Sequence, residues 1–379
     1  MRVVIISEYY HPQIGGAGRV TQAIAEAVAK SGWDAHVFTS GEQSGTEYIN
    51  DVIVHRFDIT GNLAKGIKGD TGAIKERLGE LKPGLIIVYA LQTWGSDIIL
   101  QDEHIVAAGT RIILIPCGLS ALSTLTRRIF YRGYLKRLRR NWQRFDHYIF
   151  HTRQGNDYRF LGKLTCDRHT IIPNFFPHDI LDWSPTEADR YLHDQDLEFL
   201  TQRPFVLNVS NHYRIKGHAA LIHKFMKSFP DDWQLVIAGS APNGGRNCEA
   251  QCKRESTRSD RITLLDGSDR KLVLSLYHKA SLFFLTSQIE YSPLVLIEAQ
   301  ALGLPFLSYP VGNVRELAGG MVVRPRDVTP RFIGNLIQQP AKMKDLGTRG
   351  QIQSLEEHSE SRIQEQYVGM IHRIVDTTE

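Results

Sequence analysis

Between His104 and Phe145 the chain has no aspartate or glutamate, while nine arginines and lysines fall there, eight of them from Arg127 to Arg144. The net charge over 379 residues is only +4, so the imbalance is local. With no recognisable binding module beside the basic stretch, nucleic acid is not an expected partner. Cysteine is scarce: Cys117, Cys166, Cys248 and Cys252 include no CxxC pair. This excludes a disulfide-stapled scaffold and points to reduced thiols. Cys248 and Cys252, four apart on an expected helix, read as one surface face, and no metal ligand is assigned. No run of about 18 apolar residues is present, which excludes a transmembrane helix. The start, MRVVIISEYY, lacks the parts of a signal peptide and reads as a first strand, so a cytoplasmic protein is expected.

An apolar content of 42% and a charged content of 23% describe a globular protein, and the length suits two domains. Apolar strand patterns at Arg2–Ser7, Asp34–Thr39, Val52–Phe57, Gly84–Tyr89, Arg111–Ile115, His147–His151 and His169–Pro173 are separated by turn or helix patterns such as Thr93–Ala108. Phe175–Arg203, rich in Pro, Asp and Glu, reads as a linker with a short helix. A second strand series follows at Pro204–Val209, Trp233–Ala238, Arg261–Leu265, Ser281–Thr286, Leu304–Tyr309 and near Met321. This alternation predicts doubly wound parallel sheets, whose ligands bind beyond the carboxyl ends of the strands. Gly15, Gly16 and Gly18 punctuate the first strand-to-helix turn, before a helix expected from Val20 to Lys30. The turn is not a dinucleotide fingerprint, because G-x-G-x-x-G from Gly16 needs glycine where Thr21 stands. It is either a tight turn or a place where backbone approaches a ligand.

The most informative stretch is Ser281–Asn313, SLFFLTSQIEYSPLVLIEAQALGLPFLSYPVGN. It reads as strand, polar turn, helix, strand. Ser292 is the expected N-cap and Pro293 the first helical residue. The N–H groups of Leu294, Val295 and Leu296 would then open the helix as a phosphate site. Glu290 stands before this helix and Glu298 inside it. Carboxylates so placed can accept hydrogen bonds from sugar hydroxyls on either side of a diphosphate, although two glutamates eight apart are also common on ordinary surfaces.

The segment resembles the signature of the family 4 retaining glycosyltransferases, whose Glu-x7-Glu motif is present as Glu290-YSPLVLI-Glu298. The resemblance extends over most of the chain. It implies an α/β protein of GT-B fold, two Rossmann-like domains with parallel sheets facing across a cleft. Residues 1–175 would form the acceptor-side domain, joined by a last helix at about 360–379, and residues 176–359 the donor-binding domain. That helix is expected from about Gln351 to Val375. Glu290 would contact the donor sugar and Glu298 the nucleotide ribose. The usual glycine-rich segment after the first Glu is Tyr291-Ser292-Pro293 here, so diphosphate contacts would come from Leu294 and Val295, beside Ser292.

After the first strand of the second series, Ser210-NHYRIKGH keeps the family's Lys-Gly as Lys216-Gly217, whereas the family Arg is Asn211 here. Lys216, with Arg214 close by, would meet the donor diphosphate. Gly239 and Asp266 mark the turns that flank the nucleobase in the family. Gly15 and Gly16 match its first-loop glycine pair, on the acceptor side and, for Gly16, near the donor. Cys117 stands where many members have histidine, and reads as a small, partly buried residue lining the cleft. The implied reaction is retaining transfer of a hexose-type sugar from a nucleotide diphosphate sugar to a sugar or lipid-linked acceptor, in glycan, glycolipid or polysaccharide synthesis. Lys216 and Glu290 would be the catalytic pair, with no cofactor and no metal. A nucleotide-sugar epimerase and a non-catalytic binder of anionic surfaces are the alternatives.

Two polar stretches remain. Thr124–Phe145 suits an amphipathic basic helix interrupted at Gly133, with Leu125, Ile129, Leu135, Leu138 and Trp142 on one stripe. Either it meets an anionic surface, making the protein peripheral at the inner face of a membrane, or its stripe packs on the domain and the cations are solvated. Asp194-Gln195-Asp196 has the form of a metal-binding DxD, but in the linker it reads as solvated acid.

Overall fold

The computed structural model describes residues 1–12, 15–241 and 245–376. They form two compact units: Met1–Pro173 together with the chain from Ser361 onward, and Asn174–Glu360.

The strands of the first unit are β1 (Arg2–Ile6), β2 (Asp34–Ser40), β3 (Gly45–Ile49), β4 (Val52–Phe57), β5 (Ile59–Asn62), β6 (Gly66–Gly69), β7 (Leu85–Tyr89), β8 (Arg111–Ile115), β9 (His147–Phe150) and β10 (His169–Ile171). Eight of them make one sheet in the order β10-β9-β8-β7-β1-β2-β4-β3, while β5 and β6 form a separate antiparallel hairpin. All pairs in the large sheet are parallel except β3 with β4. The edge strand β3 was not expected. Its first four residues are exposed, so it lacks the period-2 apolar alternation that marks a half-buried strand.

Three helix expectations are corrected. The first helix begins at Gly16, not Val20, so Gly16 and Gly18 lie in its opening turn. The helix expected over Thr93–Ala108 is only Trp94–Gln101. It stops where the Asp102 carboxylate accepts the His104 N–H at 2.9 Å, a local turn that competes with helix. The basic stretch is two helices, Leu125–Phe130 and Arg132–Asn141, and the break is at Tyr131, with Gly133 inside the second.

The second unit adds β11 (Phe205–Val209), β12 (Gln234–Ala238), β13 (Ile262–Leu265), β14 (Leu282–Leu285), β15 (Phe306–Ser308) and β16 (Gly320–Val322), all parallel in the order β13-β12-β11-β14-β15-β16. Alternate residues of one strand serve different layers. Leu207, Val236, Phe283 and Phe306 pack with Leu276, Tyr277, Leu296 and Ile297 on one face. Val206, Leu235, Phe284 and Leu307 pack with Leu221, Phe225, Ile333 and Leu336 on the other. Covering both faces is why these strands read as unbroken apolar runs. Cys252 is fully buried in the second layer and Cys248 half-buried, so the two do not form a surface face.

The presumed linker holds two helices, Asp179–Asp182 and Pro185–Asp194. The second has a capping box, Ser184 with Glu187, and Pro185 at its first turn. This signal was legible in SPTE and outweighed by the acidic composition. Asp194 and Asp196 are exposed at its end. The chain turns at residues 314–316 before β16. The chain ends in two helices rather than one, Pro340–Glu357 and Glu360–Asp376. At the break, the His358 carbonyl accepts the Phe176 N–H at 3.0 Å. The last helix buries Ile363, Tyr367, Met370 and Ile371 on one stripe, and Gln364 donates to the Ala23 carbonyl of the first unit at 3.1 Å. Among the described residues, no helix is long and apolar enough to cross a membrane.

Candidate active site

In the second unit β11 pairs with β12 on one side and β14 on the other. Chain order therefore reverses between β11 and β14, and the turns after both strands emerge side by side. The turn after β11 carries Asn211, Arg214 and Lys216, and that after β14 carries Glu290. Lys216 Nζ lies 2.7 Å from Glu290 Oε1, with side-chain exposures of 23% and 14%. Residues 74 apart in sequence meet because their strands are neighbours at this switch point.

The two turns are tied by backbone. Gln288 donates its N–H to the Ile215 carbonyl at 2.8 Å, and Thr286 Oγ1 reaches the carbonyls of Lys216 and Gly217 at 3.3 and 3.4 Å. Gly217 has φ +77°, and a Cβ there would sit 2.4 Å from the Thr286 carbonyl oxygen. Both facts demand glycine, which explains Lys-Gly at this turn. Gly217→Ala is therefore expected to destabilise the second unit by about 1–3 kcal/mol and to displace Lys216. Thermal unfolding and donor titration on the same sample check this, and an unchanged melting temperature would contradict it.

The turn before the Leu294–Ala301 helix is also held from outside. Asn313 donates its N–H to the Tyr291 carbonyl at 2.9 Å and its Nδ2 to Ser292 Oγ at 3.3 Å, while Asn174 Nδ2 donates to the Ser292 carbonyl at 2.7 Å. Pro293 is itself the N-cap, where Ser292 was expected. The N–H groups of Leu296 and Ile297 turn back to the Pro293 carbonyl. Leu294 and Val295 therefore remain as the donors that a phosphate would meet. Buried Asn174 Oδ1, Asn313 Oδ1 and Ser287 Oγ on these turns have no partner, and such atoms suit a hydroxyl-rich ligand.

Glu298 is enclosed. Only 6% of its side chain is exposed, and Arg270 Nη1 lies 2.9 Å from its Oε1. Tyr277 Oη is 3.0 Å from its Oε2. Arg270 also makes a two-point contact with Asp179, at 2.7 and 2.8 Å. Burial alone would disfavour the guanidinium charge, but Glu298 and Asp179 outweigh it and raise the Arg270 pKa. The sequence reading missed Arg270, Tyr277 and Asp179. None has a motif, and Asp179 lies in the stretch read as linker.

The remaining predicted residues are dispersed. Arg214 is exposed, two residues before Lys216 in the same short helical turn. Asn211 sits at the start of the same loop, its carbonyl accepting the Tyr213 N–H at 2.7 Å. Gly239 is buried, and a Cβ there would lie 2.0 Å from the Ser210 carbonyl oxygen, so the β12 turn packs directly on the β11 turn. Asp266 is exposed and accepts the Ser268 N–H at 3.0 Å, capping its own turn.

Gly15, Gly16 and Cys117 belong to the first unit. Gly15 is the N-cap of the first helix, in extended backbone, and Gly16 its first residue; Gln13 and Ile14, in the same loop, lie outside the described residues. Cys117 has φ +52°, a strained conformation for a residue with a side chain. Its Sγ is 3.4 Å from His151 Nε2, and His151 Nδ1 is 2.9 Å from the Ile172 carbonyl. That carbonyl can only accept, so the ring carries its proton on Nδ1 and takes the thiol hydrogen on Nε2. Burial pushes the Cys117 thiol up to about 12, so it is no nucleophile at neutral pH. His151 was not singled out from sequence.

Residues 189–339 match the family model of glycosyl transferases group 1, a span that contains Lys216, Glu290, Arg270 and Glu298. The chain carries a group 1 glycosyltransferase domain. Over 312 residues the chain is 25% identical to an uncharacterized glycosyltransferase of Haemophilus influenzae, covering 78% of this chain and 77% of that one. Sucrose-phosphate synthase of Thermosynechococcus elongatus superposes over all of both chains with a TM-score of 0.76 at 18% identity. HepE of Anabaena, solved with UDP and glucose, does so with a TM-score of 0.74 at 16% identity, over 98% of this chain and 100% of that one. The fold of the chain is thus GT-B, as the motif-based resemblance implied.

Proposed function

We propose that this glycosyltransferase moves a hexose-type sugar from a nucleotide diphosphate sugar to an acceptor hydroxyl, with retention at the anomeric carbon. The observation that carries the reading is the Lys216–Glu290 pair at the switch point, beside the Leu294 and Val295 N–H groups. A leaving nucleoside diphosphate gains negative charge as the glycosidic bond breaks. A fixed ammonium and a helix start stabilise that charge without reorganisation. Glu290 is then released from Lys216 to accept sugar hydroxyls, and Glu298, oriented by Arg270 and Tyr277, accepts from the ribose. Gly239 and Asp266 stand beside the base. Gly15, Gly16 and Cys117 are assigned to the acceptor side, with Gly16 also near the donor. Retention follows if the donor's own phosphate assists deprotonation of the acceptor at the same face, which asks for no protein base.

Thermal-shift titration with UDP-, GDP- and ADP-sugars tests the donor. A ligand at 100 times its dissociation constant adds about 2.7 kcal/mol of stability. The UDP in the HepE structure makes UDP-sugars the first to try. Anomeric configuration of the product by NMR tests retention, and interconversion of donor sugars without transfer would instead identify an epimerase.

We further propose that the basic segment binds an anionic membrane that carries a lipid-linked acceptor. The two halves of the segment behave differently. In the Arg132–Asn141 helix, Tyr134, Leu135 and Leu138 are buried, so its stripe packs on the first unit. In the Leu125–Phe130 helix, Leu125, Ile129 and Phe130 are 74%, 67% and 65% exposed, beside Arg127 and Arg128. Exposed apolar side chains among cations suit the interface of an anionic bilayer. Each cation at such a surface is worth up to about 1 kcal/mol, fading over a Debye length of about 8 Å. Replacing Arg127 and Arg128 together with Lys136, Arg137, Arg139 and Arg140 by Gln is expected to abolish salt-sensitive sedimentation with anionic vesicles. Wild-type-like sedimentation of the variant at low and high salt would make the segment an ordinary solvated face.

A further inference from the structure

His212, His218, Cys248 and Cys252 each bring a nitrogen or sulfur to one place, with all four atoms within 4.8 Å of one another. The two histidines bracket the Lys216 turn, and the two cysteines are one turn apart on the Arg246–Ser256 helix. The spacings H-x5-H and C-x3-C fall in the range of tetrahedral zinc sites.

The surroundings prepare lone pairs rather than hydrogen bonds. Asn208 Nδ2 donates to the Phe284 carbonyl at 2.7 Å, which fixes Asn208 Oδ1 as an acceptor. Ser210 Oγ donates to that Oδ1 at 2.9 Å. Ser210 Oγ must then accept from His218 Nε2, 2.7 Å away. His218 therefore carries its proton on Nε2 and turns a bare Nδ1 toward Cys248 Sγ, at 3.8 Å. Such a chain behind a ligand fixes its tautomer and ring angle. Independently, His212 is only 3% exposed and its Nδ1 has no hydrogen-bond partner. A buried, unpartnered imidazole nitrogen beside two thiols is unexplained by the fold alone.

We propose that these four residues form a tetrahedral zinc(II) site that clips the Ser210–Gly217 turn to the Arg246–Ser256 helix. Zn–S bonds of about 2.3 Å and Zn–N bonds of about 2.0–2.1 Å require ligand separations of roughly 3.3–3.8 Å. The Cys248–His218 edge already matches, and the longest pair closes by about 1 Å. Two thiol protons leave as the metal binds, so two thiolates balance the dication and the buried centre is neutral. Soft thiolates with imidazoles select zinc over magnesium or manganese. On this proposal Cys248 and Cys252 are ligands rather than the surface face expected from sequence, because their partners lie far away in the chain.

The test is metal content of the full-length protein exposed to equimolar zinc and gel-filtered. One zinc per chain is expected by elemental mass spectrometry. Cobalt(II) in its place should give the d–d and thiolate charge-transfer bands of a tetrahedral S2N2 site. Cys248→Ser/Cys252→Ser should lose both signals, while His223→Ala, an exposed histidine on the neighbouring helix, should keep them. Should the double variant misfold, the wild type still decides. Its melting temperature should fall when zinc is stripped and return when zinc is restored. Wild-type protein that takes up neither metal, and melts identically with and without chelator, overturns the site. The effect on Lys216 rests on the donor reading. Stoichiometric zinc with unaltered donor affinity on stripping would sustain the site and refute only the clip's influence on that turn.

Discussion

Lys216→Ala is expected to lower turnover by about 10²–10³, more than it weakens donor binding. The asymmetry has a physical source. In the unliganded protein the Lys216 charge is already met by Glu290 at 2.7 Å, in partly buried surroundings. Ground-state phosphate must compete with that carboxylate, so its net gain is small. The charge that develops on the leaving diphosphate is larger, and Lys216 meets it fully only then. Single-turnover rates and donor affinities, measured on one preparation, separate the two. Equal losses in both would reduce Lys216 to a phosphate anchor. Lys216→Arg should rescue poorly, because a planar fork does not replace a compact ammonium in a turn fixed by Gly217.

Glu298→Ala is expected to act on stability as well as on the donor. Removing one partner of a buried ion pair costs about 3–5 kcal/mol. Here the lower end applies, since Arg270 keeps its two contacts with Asp179. If Glu298 accepts from the ribose as proposed, a roughly ten- to a hundred-fold loss of donor affinity is added in the molecules that remain folded. A glutamate facing an open cleft could be replaced with little effect on stability. Glu298 is instead enclosed by Arg270 and Tyr277. Tyr277→Phe separates the effects, because it removes one hydrogen bond to Glu298 and leaves the ion pair. Calorimetric unfolding with parallel donor titration reads both. A Glu298→Ala protein that melts like wild type would show the Arg270 pair to be energetically idle. Donor affinity unchanged in the folded fraction would confine Glu298 to the scaffold.

Mostly apolar runs between turn signals located the strands of the second sheet, because strands covered on both faces are rich in apolar residues, although Asn208 and Ser308 are buried within them. The same rule failed for β3, whose side chains meet solvent. Composition misled at Phe175–Arg203. Acidic residues there are helix caps and ion-pair partners, and Asp179 reaches Arg270 across 91 positions. The basic segment shows the limit of periodicity. Leu125 and Leu135 lie on the same predicted stripe, yet one is exposed and the other buried, because only the second helix has a surface to pack against.

By itself the sequence determined the fold class and marked Lys216, Glu290 and Glu298 as candidates. Local patterns, helix-start chemistry and a spaced motif are all written within short windows of chain. Tertiary structure alone decided what each of those residues touches. Strand order placed Lys216 beside Glu290, at a distance of 2.7 Å that no spacing encodes. It enclosed Glu298 with an arginine from one helix and reached that arginine with an aspartate from another. It also gathered two histidines of one turn and two cysteines of a neighbouring helix within 4.8 Å. Side-chain partners across a parallel sheet come from segments tens of residues apart. Their meeting depends on how strands are ordered, and strand order is a property of the folded chain as a whole.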